Sequence, residues 1–568
     1  MNRAAILFSF VFFLLSFSVQ AQLTTNKIYT RADSLRGSIT PERAWWDLIH
    51  YSIAVTPNIE TKTIEGAVTM QFKALKAGKI MQIDLQQPLI IDSITQSIGK
   101  KKSKQLPFKR DGNIALIDFE KVVQPNLKYS INIYYHGKPK EAVRPPWDGG
   151  ISWNKDATGS PFVATSCQGL GASVWWPCKD HQSDEPDSGV VIAVRVPDTL
   201  TNVSNGKLKK VITHSDHTKT WVWEVKNPIN NYSVSMNIGK YVLIEDQYKG
   251  LGGPLTLNYY FLQDHKDSAL VQLKQIKPML DCFEHWFGKY PFYQDGYKLV
   301  EVPYLGMEHQ SNVTYGNRFK NGYLGKDIST SGWGMHWDYI IIHESAHEWF
   351  GNNITAKDIA DMWIQEGFTT YSETLFSEWL DGRIAGEEYN FGSRKRIKND
   401  SPIIADYNVN ASGSGDMYFK SAAMIHSIRM AMNNDDQFRQ MLLGLNKAFW
   451  HATITTSDVE RKMNSYTRFT LDKIFDQYLR KTTIPVLEYY FSVSGNKLVY
   501  RWTNAVDGFN LPLVIQTDMK PVTIVPKLNE WQEFTFPLGM INATQMQNLA
   551  KRFYIQLMEK KELVISSN

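Results

Sequence analysis

The chain has 568 residues, of which 43% are hydrophobic, 21% charged and 13% aromatic. That composition belongs to a well-cored globular protein and excludes an intrinsically disordered one. The formal net charge of +5, from 62 basic and 57 acidic residues, is too small for a chain of this size to indicate a nucleic-acid partner, and three cysteines cannot build a disulfide scaffold.

Taken in chain order, the first feature is a leader. Arg3 supplies a positive start, residues 6–17 form an apolar run, and Val19-Gln20-Ala21 puts compact residues where a signal peptidase reads. This pattern predicts a secretory signal peptide over residues 1–21 and a mature start at Gln22. The run is short of the roughly 20 apolar residues needed to span a bilayer, and no later stretch approaches that length. The expected product is exported, periplasmic or extracellular, with no stable membrane anchor after cleavage. In that compartment Cys167 and Cys178 can pair; alternatively they and Cys282 are buried thiols.

Residues 22–253 read as a β domain. Ile64, Val68, Met70 and Phe72 recur with period two, as do Tyr129, Ile131, Ile133 and Tyr135. Turn signals such as Asp111-Gly112-Asn113 and Asn205-Gly206 separate such runs. After Gly252-Gly253-Pro254 the texture changes, and residues 254–481 read as mostly helical. Helices are expected over 268–287 (kinked or split by Pro278), 335–350, 360–380, 421–432 and 472–479. Residues 482–568 return to strands, with 487–493 and 497–502 flanking a tight turn at Gly495-Asn496.

Within the helical part, residues 343–347 read His343-Glu344-Ser345-Ala346-His347. Positions four apart share a helix face, so both imidazoles can reach one ion, while Glu344 lies beside it as a base. Catalytic zinc usually takes three protein ligands and leaves one open position. Glu366, 19 positions after His347, is the third candidate, because Gly351-Asn352-Asn353 can turn the next helix back against the first.

This arrangement resembles the gluzincin zinc aminopeptidases, the group containing aminopeptidase N and leukotriene hydrolase. Leu305-Gly306-Met307-Glu308-His309 is similar to the family's G-x-M-E-N segment, with Leu305 and His309 departing from its Gly and Asn. Ser166-Cys167-Gln168 resembles the segment whose Gln lines the substrate site, and Tyr418-Phe419-Lys420-Ser421 resembles Y-x-K-G with Ser for Gly. The resemblance runs from the first β domain to about Arg480.

The fold it implies is multidomain α+β: an N-terminal β domain, a thermolysin-like, mostly helical catalytic domain and a small C-terminal β domain. Larger family members carry a further C-terminal helical domain over the active site. The sequence stops before one, so a more open cleft, or one closed by a partner, is expected. The implied activity is aminopeptidase action on peptides with a free N-terminus, with one Zn²⁺ per chain held by His343, His347 and Glu366. Such an ion acidifies water into a nucleophile, and Glu344 would serve as general base and then acid. The resemblance assigns the oxyanion donor to Tyr418 and the amine-binding carboxylate to Glu308, which pairs with a cationic terminus that an internal peptide bond lacks. Gly306, Met307 and Gln168 complete the implied substrate site. Glu373, two helical turns beyond Glu366, is a candidate to orient a ligand, and Trp175, Trp176 and Trp333 could line the cleft. Two alternatives stand beside this reading: a thermolysin-type zinc endopeptidase, and a catalytically silent peptide-binding relative.

Overall fold

Period-two burial builds the N-terminal half. In Trp46–Asn58 and Thr63–Ala74 buried and partly exposed residues largely alternate, and Ile64, Val68, Met70 and Phe72 are at most 2% exposed, as a sheet with one solvated face requires. The computed structural model describes residues 28–98 and 102–561, so the leader predicted over 1–21 lies outside the described residues. Among the described residues, no helix is long and apolar enough to cross a membrane.

An eight-stranded sheet runs in the order Lys207–Thr213, Thr218–Val225, Val190–Pro197, Trp46–Asn58, Thr63–Ala74, Lys128–Gly137, Ile90–Ile98 and Lys102–Gln105. Only the pair Trp46–Asn58 with Val190–Pro197 is parallel. Three- and four-stranded sheets pack against it around one core, to which Ile53, Ile83 and Val163 each contribute from a different sheet. Trp175 and Trp176 are fully buried in this core and do not line the cleft. Cys167, Cys178 and Cys282 are buried free thiols rather than a bridge and a single cysteine.

The five-stranded sheet that follows has the order Tyr241–Gly250, Gly253–Leu262, Tyr297–Glu301, Val313–Tyr315 and Gly306–Met307. Gly252-Gly253 therefore turns a hairpin inside this sheet, where the sequence suggested a seam between units. The change of texture is real, but it marks where helices begin to cover the sheet. The helix expected over 268–287 is split: Lys266–Gln272 and Ile276–Phe287 are joined by a 3₁₀ turn just before Pro278. Pro278 itself sits in the first turn of the second helix, where its missing N–H costs nothing.

The C-terminal part forms a four-stranded sheet, Gln532–Thr535, Lys497–Thr503, Val486–Phe491 and Gln556–Glu559, with one helix, Ala543–Arg552. The hairpin expected at Gly495-Asn496 is present. Leu487, Trp502 and Phe553 belong to the same core as Phe283, Trp363 and Leu479. The central helices and the last sheet thus share one apolar interior.

Candidate metal centre and substrate site

Helix Tyr339–Ala346 is short because both ends are fixed. Asp338 caps it, accepting from the backbone N–H groups of Ile340 at 3.1 Å and Ile341 at 3.4 Å, while Tyr315 and Asn317 donate to the same carboxylate, each at 2.7 Å. The expected span of 335–350 was too long: Trp333–Met335 is a separate 3₁₀ turn. His347 follows the helix with helical dihedrals, φ −59° and ψ −19°, so the four-residue spacing still places both imidazoles together.

The chain then reverses at Gly351, whose φ of 130° lies in a region L side chains rarely adopt. A Cβ there would also come 3.0 Å from His347 Nδ1. Beyond the strand Ile354–Ala356, helix Trp363–Asp381 returns and presents Glu366 in its first turn. Glu366 Oε2 lies 3.7 Å from His343 Nε2 and 3.4 Å from His347 Nε2. Despite burial, the imidazoles hold its carboxyl well below the usual carboxylate range.

These three side chains can hold a metal ion: one ligand atom from each lies within 4.8 Å of the others. The outer nitrogens are already engaged. His343 Nδ1 faces Glu373 Oε1 at 2.7 Å, and His347 Nδ1 faces the Phe350 carbonyl at 2.9 Å. Those partners assign the proton to Nδ1 and turn both Nε2 lone pairs inward. Glu366 Oε2, buried among them, has no hydrogen-bond partner. Two imidazoles and one carboxylate form the donor set of a catalytic zinc site with an open position. Glu373 is fully buried and also accepts from Tyr389 Oη at 2.7 Å, which places it as the orienting group the sequence suggested.

Glu344 is nearly buried, and its burial pushes the carboxyl up to about 7, against the pull of His343. Gly306 lies on the edge strand facing it: a Cβ on Gly306 would stand 2.6 Å from Ile340 Cγ2 and 3.4 Å from Glu344 Cγ. Any side chain there would close the space between the strand and Glu344. Met307 is buried with Ala164, Val302 and Tyr304, so its side chain packs into an apolar cluster.

Glu308 is 2% exposed. Gln168 Nε2 donates to Glu308 Oε1 at 2.6 Å and to Glu366 Oε1 at 3.3 Å, which leaves the Gln168 carbonyl oxygen as an acceptor. Burial raises the Glu308 carboxyl above its ordinary range, while His347 draws it down. Three contacts here were not found from the sequence. Tyr232 lies beside the Glu308 carboxyl, Gln365 Nε2 donates to Tyr232 Oη at 3.0 Å, and Asn352 Nδ2 donates to the Glu308 carbonyl at 2.8 Å. Gln365 adjoins Glu366 and offered a signal; Tyr232 offered none. His309, where the family has Asn, is fully buried with both ring nitrogens unpartnered, and burial lowers it to about 3. Its ring is neutral and supplies no charge to the site.

Tyr418 immediately precedes helix Phe419–Met432, and its ring stacks on His343 at 6.1 Å between centroids. Its phenol lies against Glu366, and burial first, then the surrounding carboxylates, raise its pKa. The helix can approach because Gly367 leaves room: a Cβ there would meet Ser421 Cβ at 2.6 Å. Lys420 points away, donating to the Lys481 carbonyl at 2.7 Å. Trp333 donates to Glu388 at 2.8 Å and is not part of this group.

Residues 48–233 match the model of the peptidase M1 N-terminal domain, and residues 271–478 match that of the peptidase family M1 domain. A puromycin-sensitive aminopeptidase from Caenorhabditis elegans is 21% identical over 470 residues, covering 79% of this chain and 48% of that protein. Leukotriene A-4 hydrolase from Xenopus laevis is 22% identical over 357 residues, covering 58% and 55%. The chain spans about half the length of the curated relatives it matches. A mutant M1 zinc metallopeptidase from Deinococcus radiodurans, solved with a Tyr-Ser-Ala substrate, superposes with a TM-score of 0.65. It has 19% identity, with 77% of this chain and 95% of that one covered.

Proposed function

The chain belongs to the peptidase M1 family, and from that premise we propose that it is an exported, zinc-dependent aminopeptidase that removes N-terminal residues from peptides. One observation carries the reading: a buried carboxylate, Glu308, stands beside the His343, His347 and Glu366 set and shares Gln168 with it. A buried carboxylate facing a cleft needs a cation, and the α-amine of a peptide is one. An internal peptide bond would leave Glu308 without a cationic partner, which disfavours the endopeptidase alternative.

Zinc, when bound, supplies a Lewis acid that polarises the scissile carbonyl and promotes ionisation of water. The protein's own groups divide the remaining work. Glu308 and the Gln168 carbonyl oxygen fix the amine, and this sets the scissile bond one residue away. Glu344, beside His343 and the space facing Gly306, takes a proton from the attacking water and returns it to the leaving amine. Tyr418, kept protonated by burial, donates to the oxygen on which charge develops. An intact base argues against a silent relative.

A panel of aminoacyl reporters tests the proposal. Cleavage should disappear when the amine is acetylated and when zinc is chelated; equal cleavage of acetylated reporters would refute the role of Glu308. The leader supports export, and N-terminal sequencing of the secreted protein should start at Gln22. A chain retaining residues 1–21 in the cytoplasm would refute export.

A further inference from the structure

Immediately upstream of Glu308, the chain borders a cavity of 530 Å³ that the chemistry above does not use. Tyr304 and Leu305 line it on the edge-strand side, with Arg318, Phe319 and Trp147 around it. Two of these groups have unspent binding capacity. Trp147, from a loop of the N-terminal half, leaves 69% of its surface exposed. Arg318 is exposed and forms no ion pair among the described residues. The acid in the same cavity is already committed: Glu301 Oε2 accepts from the Leu262 N–H at 2.8 Å, and Oε1 faces His265 Nδ1 at 2.5 Å. The cavity therefore offers an uncommitted guanidinium next to unpartnered aromatic surface.

Its position relative to the reacting groups gives it a meaning. Gly306–Met307 is the edge strand of its sheet. Glu308, at one end, marks the substrate amine; Gly306, facing Glu344 Cγ, marks the scissile bond. A peptide running from the first point to the second leaves its downstream half heading for Leu305 and Tyr304, and so for the cavity. Leu305 lies three residues from Glu308, or roughly 10 Å at strand rise, and an extended tripeptide spans about the same length.

We propose that this cavity is the subsite for the C-terminal end of a short peptide substrate, in which Arg318 pairs with the free α-carboxylate of a tri- or tetrapeptide and the last side chain lies against Trp147 and Phe319. The proposal rests on the aminopeptidase reading and narrows its substrate class. A guanidinium binds carboxylate through two parallel N–H donors, so the enzyme measures both ends of a short peptide, the amine at Glu308 and the carboxylate at Arg318.

The test compares Leu-Gly-Phe with its C-terminal amide. Binding is measured by calorimetry on the zinc-loaded Glu344→Gln protein, and kcat/KM on the native enzyme. The free acid should bind at least fivefold more tightly at low ionic strength, and the difference should shrink with salt, as a partly exposed ion pair requires. Adding Arg318→Gln should bring the acid-to-amide ratio within twofold of unity. Equal affinities for acid and amide in the Arg318-bearing protein overturn the proposal without reference to any variant's folding. A ratio that survives Arg318→Gln also overturns it. Aminoacyl reporters separate the two levels: if they are not cleaved, the aminopeptidase reading fails; if they are cleaved while acid and amide bind alike, only the subsite fails.

Discussion

Glu373 offers the sharpest test of how the metal centre is held. It accepts one hydrogen bond from His343 Nδ1 and one from Tyr389 Oη, each at 2.7 Å, with no solvent access. In Glu373→Gln, the amide oxygen can still accept from His343, and Tyr389 can rotate its hydroxyl to accept from the amide nitrogen. What is lost is the charge. A hydrogen bond to a charged group contributes about 1.5–3 kcal/mol and a neutral one about 0.5–1.5. Their difference, about 1–1.5 kcal/mol, corresponds to roughly tenfold weaker zinc binding. Glu373→Ala instead strands a buried imidazole N–H and a buried phenol and frees the ring to rotate. Its effect should approach the hundredfold upper end observed when groups behind a metal ligand are removed. Competition against a chromophoric chelator measures both variants. Turnover at saturating zinc should recover better in the Gln variant than in the Ala variant. If the Ala variant binds zinc within threefold of the native protein, Glu373 does not orient His343 and the argument fails.

Further predictions address the remaining groups. Glu344→Gln should retain zinc and lose about 10²–10⁴-fold in turnover; near-native activity would remove it as the base. Tyr418→Phe should lower kcat by about 10²–10³ with little change in KM, and an effect confined to KM would count against oxyanion contact. Asp338→Ala uncaps the histidine-bearing helix and leaves Tyr315 and Asn317 without their shared acceptor. It should cost on the order of 3–5 kcal/mol in denaturant unfolding, whereas Asp338→Asn, which keeps an acceptor, should cost far less; equal losses would show that the cap is not the cause.

How much of this was legible in the sequence depended on the range of the interaction. The pairing of His343 with His347 follows from helix geometry over four residues and was readable directly. Glu366 was readable because a turn at Gly351-Asn352-Asn353 separates two helices at a fixed spacing. The helix ends were less so: the pattern over 335–350 continues in apolar character, but the cap at Asp338 and the turn after His347 cut it to Tyr339–Ala346. The seam read at Gly252-Gly253 failed for a different reason. A glycine pair marks a tight turn equally well inside a sheet or between domains, and only pairing with Tyr297–Glu301 decides. Tyr232 was invisible because a tyrosine in Asn230-Asn231-Tyr232-Ser233 carries no local sign of the carboxylate it meets. Trp175 and Trp176 show the converse, a doublet that invites a binding role and instead fills the β core.

The two halves of the site have different owners. His343, His347 and Glu366 all come from the helical part, and so does the base Glu344. In the proposed reaction the grip on the substrate amine is shared: Glu308 comes from the helical part, but Gln168 and Tyr232 are lent by the N-terminal β part. On that reading selectivity is a property of docking, and hydrolytic capacity is not. A small displacement of one part against the other would leave the metal ligands in register while withdrawing the lent groups. The result would be a centre that still activates water but no longer tells a chain end from a chain middle. Wear, inhibition or regulation acting on that seam would register first as lost discrimination, before any loss of metal.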